Sequence, residues 1–145
     1  SMARPARTCA VCVRDDGLEK DLIVEANFSD LVGQTLDVIS CLEKGSDSVL
    51  FATSTGGFYK MFHAQDCCEK VWIESVVGDV NDLIGTPILM AEETTSRSEP
   101  EYAGYSDDSY TWTFYKLATI KGYVDIRWLG ESNGFYSESV DFITV

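Results

Sequence analysis

The chain holds a single histidine, His63, and an adjacent pair of cysteines, Cys67 and Cys68, lies just after it. With Asp66 between them, this stretch offers the residue types of a cysteine nucleophile, its base and an orienting carboxylate. Such chemistry needs a thiolate activated by a positioned base. Those groups are normally assembled by folding from distant segments, so closeness in the chain does not supply the geometry. Neighbouring cysteines on a strand also point to opposite faces, which leaves only one of the pair for His63. Cys9 and Cys12 have the Cys-x2-Cys spacing of a zinc knuckle, but no second such pair completes a tetrahedral set. With Cys41 the count is five, odd and sparse for a secreted disulfide scaffold, so the expectation is reduced thiols. No catalytic residue, metal ligand or cofactor is assigned.

Carboxylates are more abundant. Glu92-Glu93 and Asp107-Asp108 are adjacent pairs, and residues 92 to 108 hold six acidic residues against Arg97, a net of −5. Side-by-side acids in a polar stretch read as a solvated loop. As a candidate binding surface they come with Tyr102 and Tyr105, aromatic contacts with a polar tip. The segment from Arg127 to Tyr136 is the other dense mixture of aromatic and polar groups. There Arg127, Asn133 and Tyr136 are candidate ligand contacts near His63, while Trp128 reads as core, extended by Trp112, Phe114 and Tyr115 with Thr111 and Thr113 near the other face. No glycine-rich phosphate loop, dinucleotide fingerprint or nucleophile elbow occurs.

The elements that must position these residues are mainly strands. Leu22 to Val24 opens the first, and alternating apolar residues recur at 35–41, 48–53, 58–63 and 69–77. Ser54 to Gly57 is a hairpin turn, because Gly-Gly supplies the positive φ that short turns require. Two short helical turns are expected, one capped by Ser29 and stopped at Gly33, the other capped by Asp79 and stopped at Gly85. Further strands follow at 87–93, 110–120 and 123–129, and Asn133-Gly134 signals a hairpin into a last strand over 135–145. The expected fold is therefore mainly β, with α+β as the alternative. It is a single antiparallel, meander-rich sheet, arranged as a sandwich or partly closed barrel with one or two short helices. Residues 1–26 form a loosely structured lead-in whose Ser1-Met2 start resembles a tag-cleavage scar, and residues 27–145 form one globular domain.

Composition narrows the function. The 145 residues carry 24 acidic against 11 basic side chains, a net of −13, with 45% apolar and 12% aromatic residues. That apolar share suits an ordinary folded domain. The acidic balance argues against direct binding to nucleic acid or to an anionic membrane, both of which need clustered Lys and Arg. No stretch approaches the roughly 20 apolar residues of a membrane span, and no apolar signal region follows the N-terminus. A cytoplasmic location is expected.

Several strings in order resemble a family of small bacteriophage and prophage domains of unknown function. They are Phe28-Ser29-Asp30-Leu31-Val32-Gly33, His63-Ala64-Gln65-Asp66-Cys67-Cys68-Glu69, Asp82 to Leu89, Tyr110-Thr111-Trp112-Thr113-Phe114-Tyr115 and Thr119 to Trp128. The likeness spans about residues 27–142 and leaves Cys9 and Cys12 outside it. It implies a phage accessory protein made in the bacterial cytoplasm. Joined to the charge, this gives a non-enzymatic protein that binds a host protein with a basic surface, such as a defence component. The binding surface would be Glu92, Glu93, Tyr102, Tyr105, Asp107 and Asp108, with Arg127, Asn133 and Tyr136. Two alternatives stand beside it: a small-ligand or nucleotide-sequestering domain using Arg127, Asn133 and Tyr136, and a metal- or cysteine-dependent enzyme around His63, Asp66 and Cys67.

Overall fold

The strand pattern folds into two antiparallel sheets that face each other. The structure is a computed structural model that describes residues 24–97 and 109–145. Its strands are β1 (Val24–Glu25), β2 (Leu36–Ser40), β3 (Ser48–Thr53), β4 (Phe58–Phe62), β5 (Lys70–Val77), β6 (Met90–Ser96), β7 (Ser109–Thr119), β8 (Gly122–Ser132) and β9 (Asp141–Thr144). One sheet has the order β1-β9-β4-β3-β2 and the other β5-β8-β7-β6. Mainly β is therefore correct, the sheet is double, and among the described residues no barrel closes. The helical turns at Phe28–Leu31 and Val80–Leu83 are single 3-10 turns.

Alternation decides which side chains meet between the sheets. Val49, Phe51, Met61 and Phe142 from the first sheet share a core with Ile73, Tyr115, Leu117, Val124, Ile126 and Trp128 from the second. Trp128 is fully buried, and its indole Nε1 donates to Met61 Sδ at 3.2 Å across the interface. Phe28 on the first 3-10 turn stacks obliquely on Tyr115 and edge-on to Phe142, closing one end of the core.

Local signals explain most of the joints. The β3–β4 loop is a turn at Ser54 to Gly57: Gly56 has φ of +92°, and the Thr53 amide donates to the Gly57 carbonyl at 2.8 Å. Asp79 caps the second 3-10 turn by accepting the Asn81 amide at 2.9 Å. The first turn is capped by Asn27 rather than Ser29, and the Asn27 amide donates to Asp30 Oδ2 at 3.0 Å. The β7–β8 hairpin runs in unbroken register from Ser109 opposite Ser132 to Thr119 opposite Gly122.

Two expectations about strand faces and turns are overturned. Asn133-Gly134 does not join a hairpin, because β8 ends at Ser132 and β9 belongs to the other sheet. Side-chain oxygens capture the local amides instead: Gly134 donates to Ser132 Oγ at 3.0 Å and Phe135 to Asn133 Oδ1 at 3.0 Å. The chain then folds back over Gly130, where a Cβ would lie 2.6 Å from the Glu138 carbonyl oxygen. The second correction concerns Trp112 and Phe114, which are not part of the inter-sheet core. They share the outer face of β7, whereas Thr111, Thr113 and Tyr115 face inward.

Candidate functional site

The His63 region is a junction between two loops. His63 follows β4, and its ring is nearly enclosed. Its Nδ1 lies 2.7 Å from the Ser139 carbonyl oxygen and its Nε2 lies 2.6 Å from Glu69 Oε2. Both ring nitrogens thus face oxygen atoms, one a backbone carbonyl and the other a carboxylate. Glu69 also accepts the backbone amides of Asp66 at 2.8 Å and Cys67 at 2.9 Å. Gln65 adds donors to the Glu69 and Cys67 carbonyls at 2.6 and 3.2 Å. Burial pushes the Glu69 carboxyl upward, but the His63 bond and the backbone amides of Cys67 and Asp66 outweigh it and lower its pKa to about 2. The carboxylate thus fixes the 64–68 loop to β4 and to the segment after β8.

This arrangement bears directly on the residues that the sequence grouped as chemistry. His63 faces Glu69 with one nitrogen and Ser139 with the other, and Asp66 contributes its backbone amide to the junction. Cys67 and Cys68 lie in a bend, not on a strand, and are joined to each other in a disulfide rather than reduced. Among the described residues no group of three or more His, Cys, Asp or Glu is placed to hold a metal ion.

The candidate binding residues divide between places. Asn133 and Tyr136 line a small pocket with Cys68, Glu69, Lys70, Glu131 and Ser132. Arg127 is apart from them, on the outer face of β8. Glu92 and Glu93 also separate, because neighbours on a strand point to opposite faces. Glu92 lies outward in register with Lys116, whereas Glu93 accepts the Tyr115 hydroxyl at 2.8 Å. Burial, with Glu93 and Asp141 nearby, holds that phenol well above its usual range. Tyr102, Tyr105, Asp107 and Asp108 lie outside the described residues.

The outer face of β5-β8-β7-β6 is where aromatic and charged groups gather. Arg127 lies 5.0 Å over the Trp112 ring, and its Nε and Nη2 reach Glu74 Oε1 at 2.8 and 2.6 Å. Lys116 lies 5.4 Å from the Tyr123 ring centroid and 3.7 Å from Asp125. Phe114 sits between these pairs along β7, 37% exposed, and Tyr123 and Val77 are 55% and 56% exposed. Val77, Phe114, Lys116 and Arg127, with Ser75, Glu92 and Thr94, border an open hollow of about 370 Å³. Each cation is held between a ring and a carboxylate, which orders the long side chains before any partner arrives. Trp112, Phe114, Lys116 and Tyr123 were missed as site residues. The signal was available in the parity of β7: once Tyr115 and Leu117 are core, positions 112, 114 and 116 face out.

A further buried carboxylate ties down the segment after β8. Glu138 accepts the Thr111 hydroxyl at 2.7 Å and the Ser132 hydroxyl. Its distance from any sequence signature hides it.

Taken together, two facing antiparallel sheets with side-chain-locked loops and a patterned outer face define a small all-β domain. The chain belongs to the family described as a domain of unknown function, DUF7448, whose family model matches residues 22–142. No curated protein and no solved structure matches it. Among the described residues no helix is long and apolar enough to cross a membrane.

Proposed function

We propose that this protein is a non-enzymatic phage accessory protein that binds a host protein, such as a defence component, in the bacterial cytoplasm. The observation that carries the reading is the outer face of β5-β8-β7-β6, where Trp112, Phe114 and Tyr123 alternate with Arg127 and Lys116. Tyr, Trp, Phe and Arg are the side chains enriched at protein interfaces, and exposed rings held by neighbours lose little entropy on docking. In the sequence, residues 92–108 carry six acidic side chains against Arg97, which suits a partner with a basic rim.

Affinity capture tests it. Immobilised wild-type protein and a Phe114→Ser/Tyr123→Ser variant are exposed to the same host lysate, at low and at high salt. The expected result is a host protein retained by the wild type and lost by the variant. An identical set of retained proteins on both, or none at low salt, overturns the reading.

A further inference from the structure

Cys67 and Cys68 are both exposed and are bonded to each other, and Cys68 forms one wall of a pocket of about 180 Å³. The other walls include Lys70, Glu131, Asn133 and Tyr136. From this juxtaposition we infer a thiol–disulfide exchange site at which a low-molecular-weight aminothiol docks beside Cys68. It shares no residue with the outer-face surface, so the two readings stand or fall separately.

The loop is built to keep its shape whether or not the sulfur–sulfur bond is present. Every hydrogen bond described for it joins backbone groups to the side chains of Gln65, Glu69 or Asp141, and none of them uses a sulfur. Opening the disulfide therefore leaves the frame around both cysteines standing. Size selects the partner: ligand pockets for drug-sized molecules run from about 300 Å³ upward, so this one fits a thiol of amino-acid size. Its lining offers a cation in Lys70, an anion in Glu131 and an amide in Asn133, the groups that a thiol bearing both ammonium and carboxylate can meet. His63 is turned into the junction with Glu69, so the incoming thiol must arrive as its own thiolate.

The exchange proceeds in two displacements. The aminothiolate attacks Cys68 Sγ; a mixed disulfide forms there, the Cys67–Cys68 bond breaks, and Cys67 leaves as a thiolate that takes a proton from water. A second aminothiolate attacks the small-molecule sulfur of the mixed disulfide, giving the symmetrical small disulfide and releasing the Cys68 thiolate. Two electrons pass from two aminothiols to the protein disulfide, and the reverse sequence reoxidises the dithiol.

Free cysteine is the probe. After incubation, the full-length protein is quenched with a thiol alkylator and digested with trypsin. Cleavage after Lys60 and Lys70 places Cys67 and Cys68 alone on peptide 61–70, away from Cys9, Cys12 and Cys41. Without thiol the peptide is expected unalkylated and oxidised. With cysteine it first carries the adduct on Cys68 and an alkyl group on Cys67, and later two alkyl groups. Asn133→Ala/Tyr136→Ala is expected to slow adduct formation about tenfold. On the wild type, glutathione is expected to react more slowly than cysteine once rates are corrected for thiolate fraction. Two alkyl groups without added thiol, an adduct mainly on Cys67, or equal corrected rates for cysteine and glutathione would each overturn the site, as would an unchanged rate in a folded double variant.

Discussion

Replacing Glu69 by Gln keeps the side chain's shape and removes its charge. In the native chain three donors converge on this carboxylate: His63 Nε2 at 2.6 Å, the Asp66 amide at 2.8 Å and the Cys67 amide at 2.9 Å. An amide offers one acceptor oxygen and puts its own N–H2 toward the remaining donors, so at least one bond is lost and the others become neutral. Hydrogen bonds to a charged group contribute about 1.5–3 kcal/mol each, against about 0.5–1.5 for neutral pairs. Asp66 and Cys67 are exposed residues, so water can reach their amides and limits the damage. The expected cost of Glu69→Gln is therefore about 2–4 kcal/mol. Urea unfolding reads it as a fall in midpoint of roughly 1 M or more at an unchanged slope.

The same substitution has a pH signature whose sign is fixed. Glu69 is lowered from 4.5 to about 2 in the folded chain. Between those values the unfolded chain binds the proton and the folded chain does not, so this group's stabilisation rises with pH. The advantage of wild type over Glu69→Gln is full above about pH 4.5 and fades as pH falls toward 2. Taking the difference between the two proteins removes the many other carboxylates from the comparison. Variants within about 0.5 kcal/mol of each other at neutral pH, the scatter of ordinary surface changes, would refute the junction. So would a wild-type advantage that grows on acidification.

Other substitutions test other joints. Gly130→Ala places a methyl 2.6 Å from the Glu138 carbonyl and 2.8 Å from Glu138 Cβ, and is expected to cost about 2–4 kcal/mol in thermal or urea unfolding. Gly134→Ala meets open space but keeps φ of +93°, so about 1–2 kcal/mol is expected from backbone strain alone. Tyr115→Phe removes the bond to Glu93 at 2.8 Å and should destabilise by about 1 kcal/mol. Because burial holds the Tyr115 hydroxyl far above the usual phenol range, the number of tyrosines that ionise in the native alkaline titration should be the same in that variant. Asp79→Ala deletes the cap on the Asn81 amide and should cost about 1 kcal/mol in the same unfolding assay.

Periodicity reads well where a segment's neighbours are sequential. The β3–β4 hairpin was legible because the alternation and the Gly-Gly turn agree, and Trp128 was legible as core because Val124, Ile126 and Trp128 alternate with Asp125 and Arg127. Asn133-Gly134 misled for a physical reason. A hairpin signal is local, but here Ser132 and Asn133 side chains capture the turn amides and Gly130 lets the chain cross over β8. Trp112 and Phe114 were placed in the wrong layer because both faces of β7 carry aromatic residues, so composition does not say which is inside. The Glu69 and Glu138 junctions depend on contacts to Ser139 and Thr111, made in three dimensions between segments far apart in the chain. No spacing rule reports them.

The structure also sorts an acidic excess that the sequence can only add up. Glu69 and Glu138 are buried and committed to hydrogen bonds, and Glu93 is turned to hold Tyr115. On the outer face, Glu74, Glu92 and Asp125 stand against Lys116 and Arg127, so 2 − 3 leaves only −1. Residues 98 to 108 carry four acidic side chains and no basic one. A partner seated on the aromatic face therefore gains mainly from buried rings, whose contribution salt changes little. A partner drawn to the acidic stretch is held through charges that salt screens, over about 10 Å at 0.1 M. Raising salt from about 0.05 to 0.5 M separates the two. Retention that survives and depends on Phe114 puts the contact on the sheet, whereas retention that collapses and ignores Phe114 puts it on the acidic stretch and removes the aromatic face from the function.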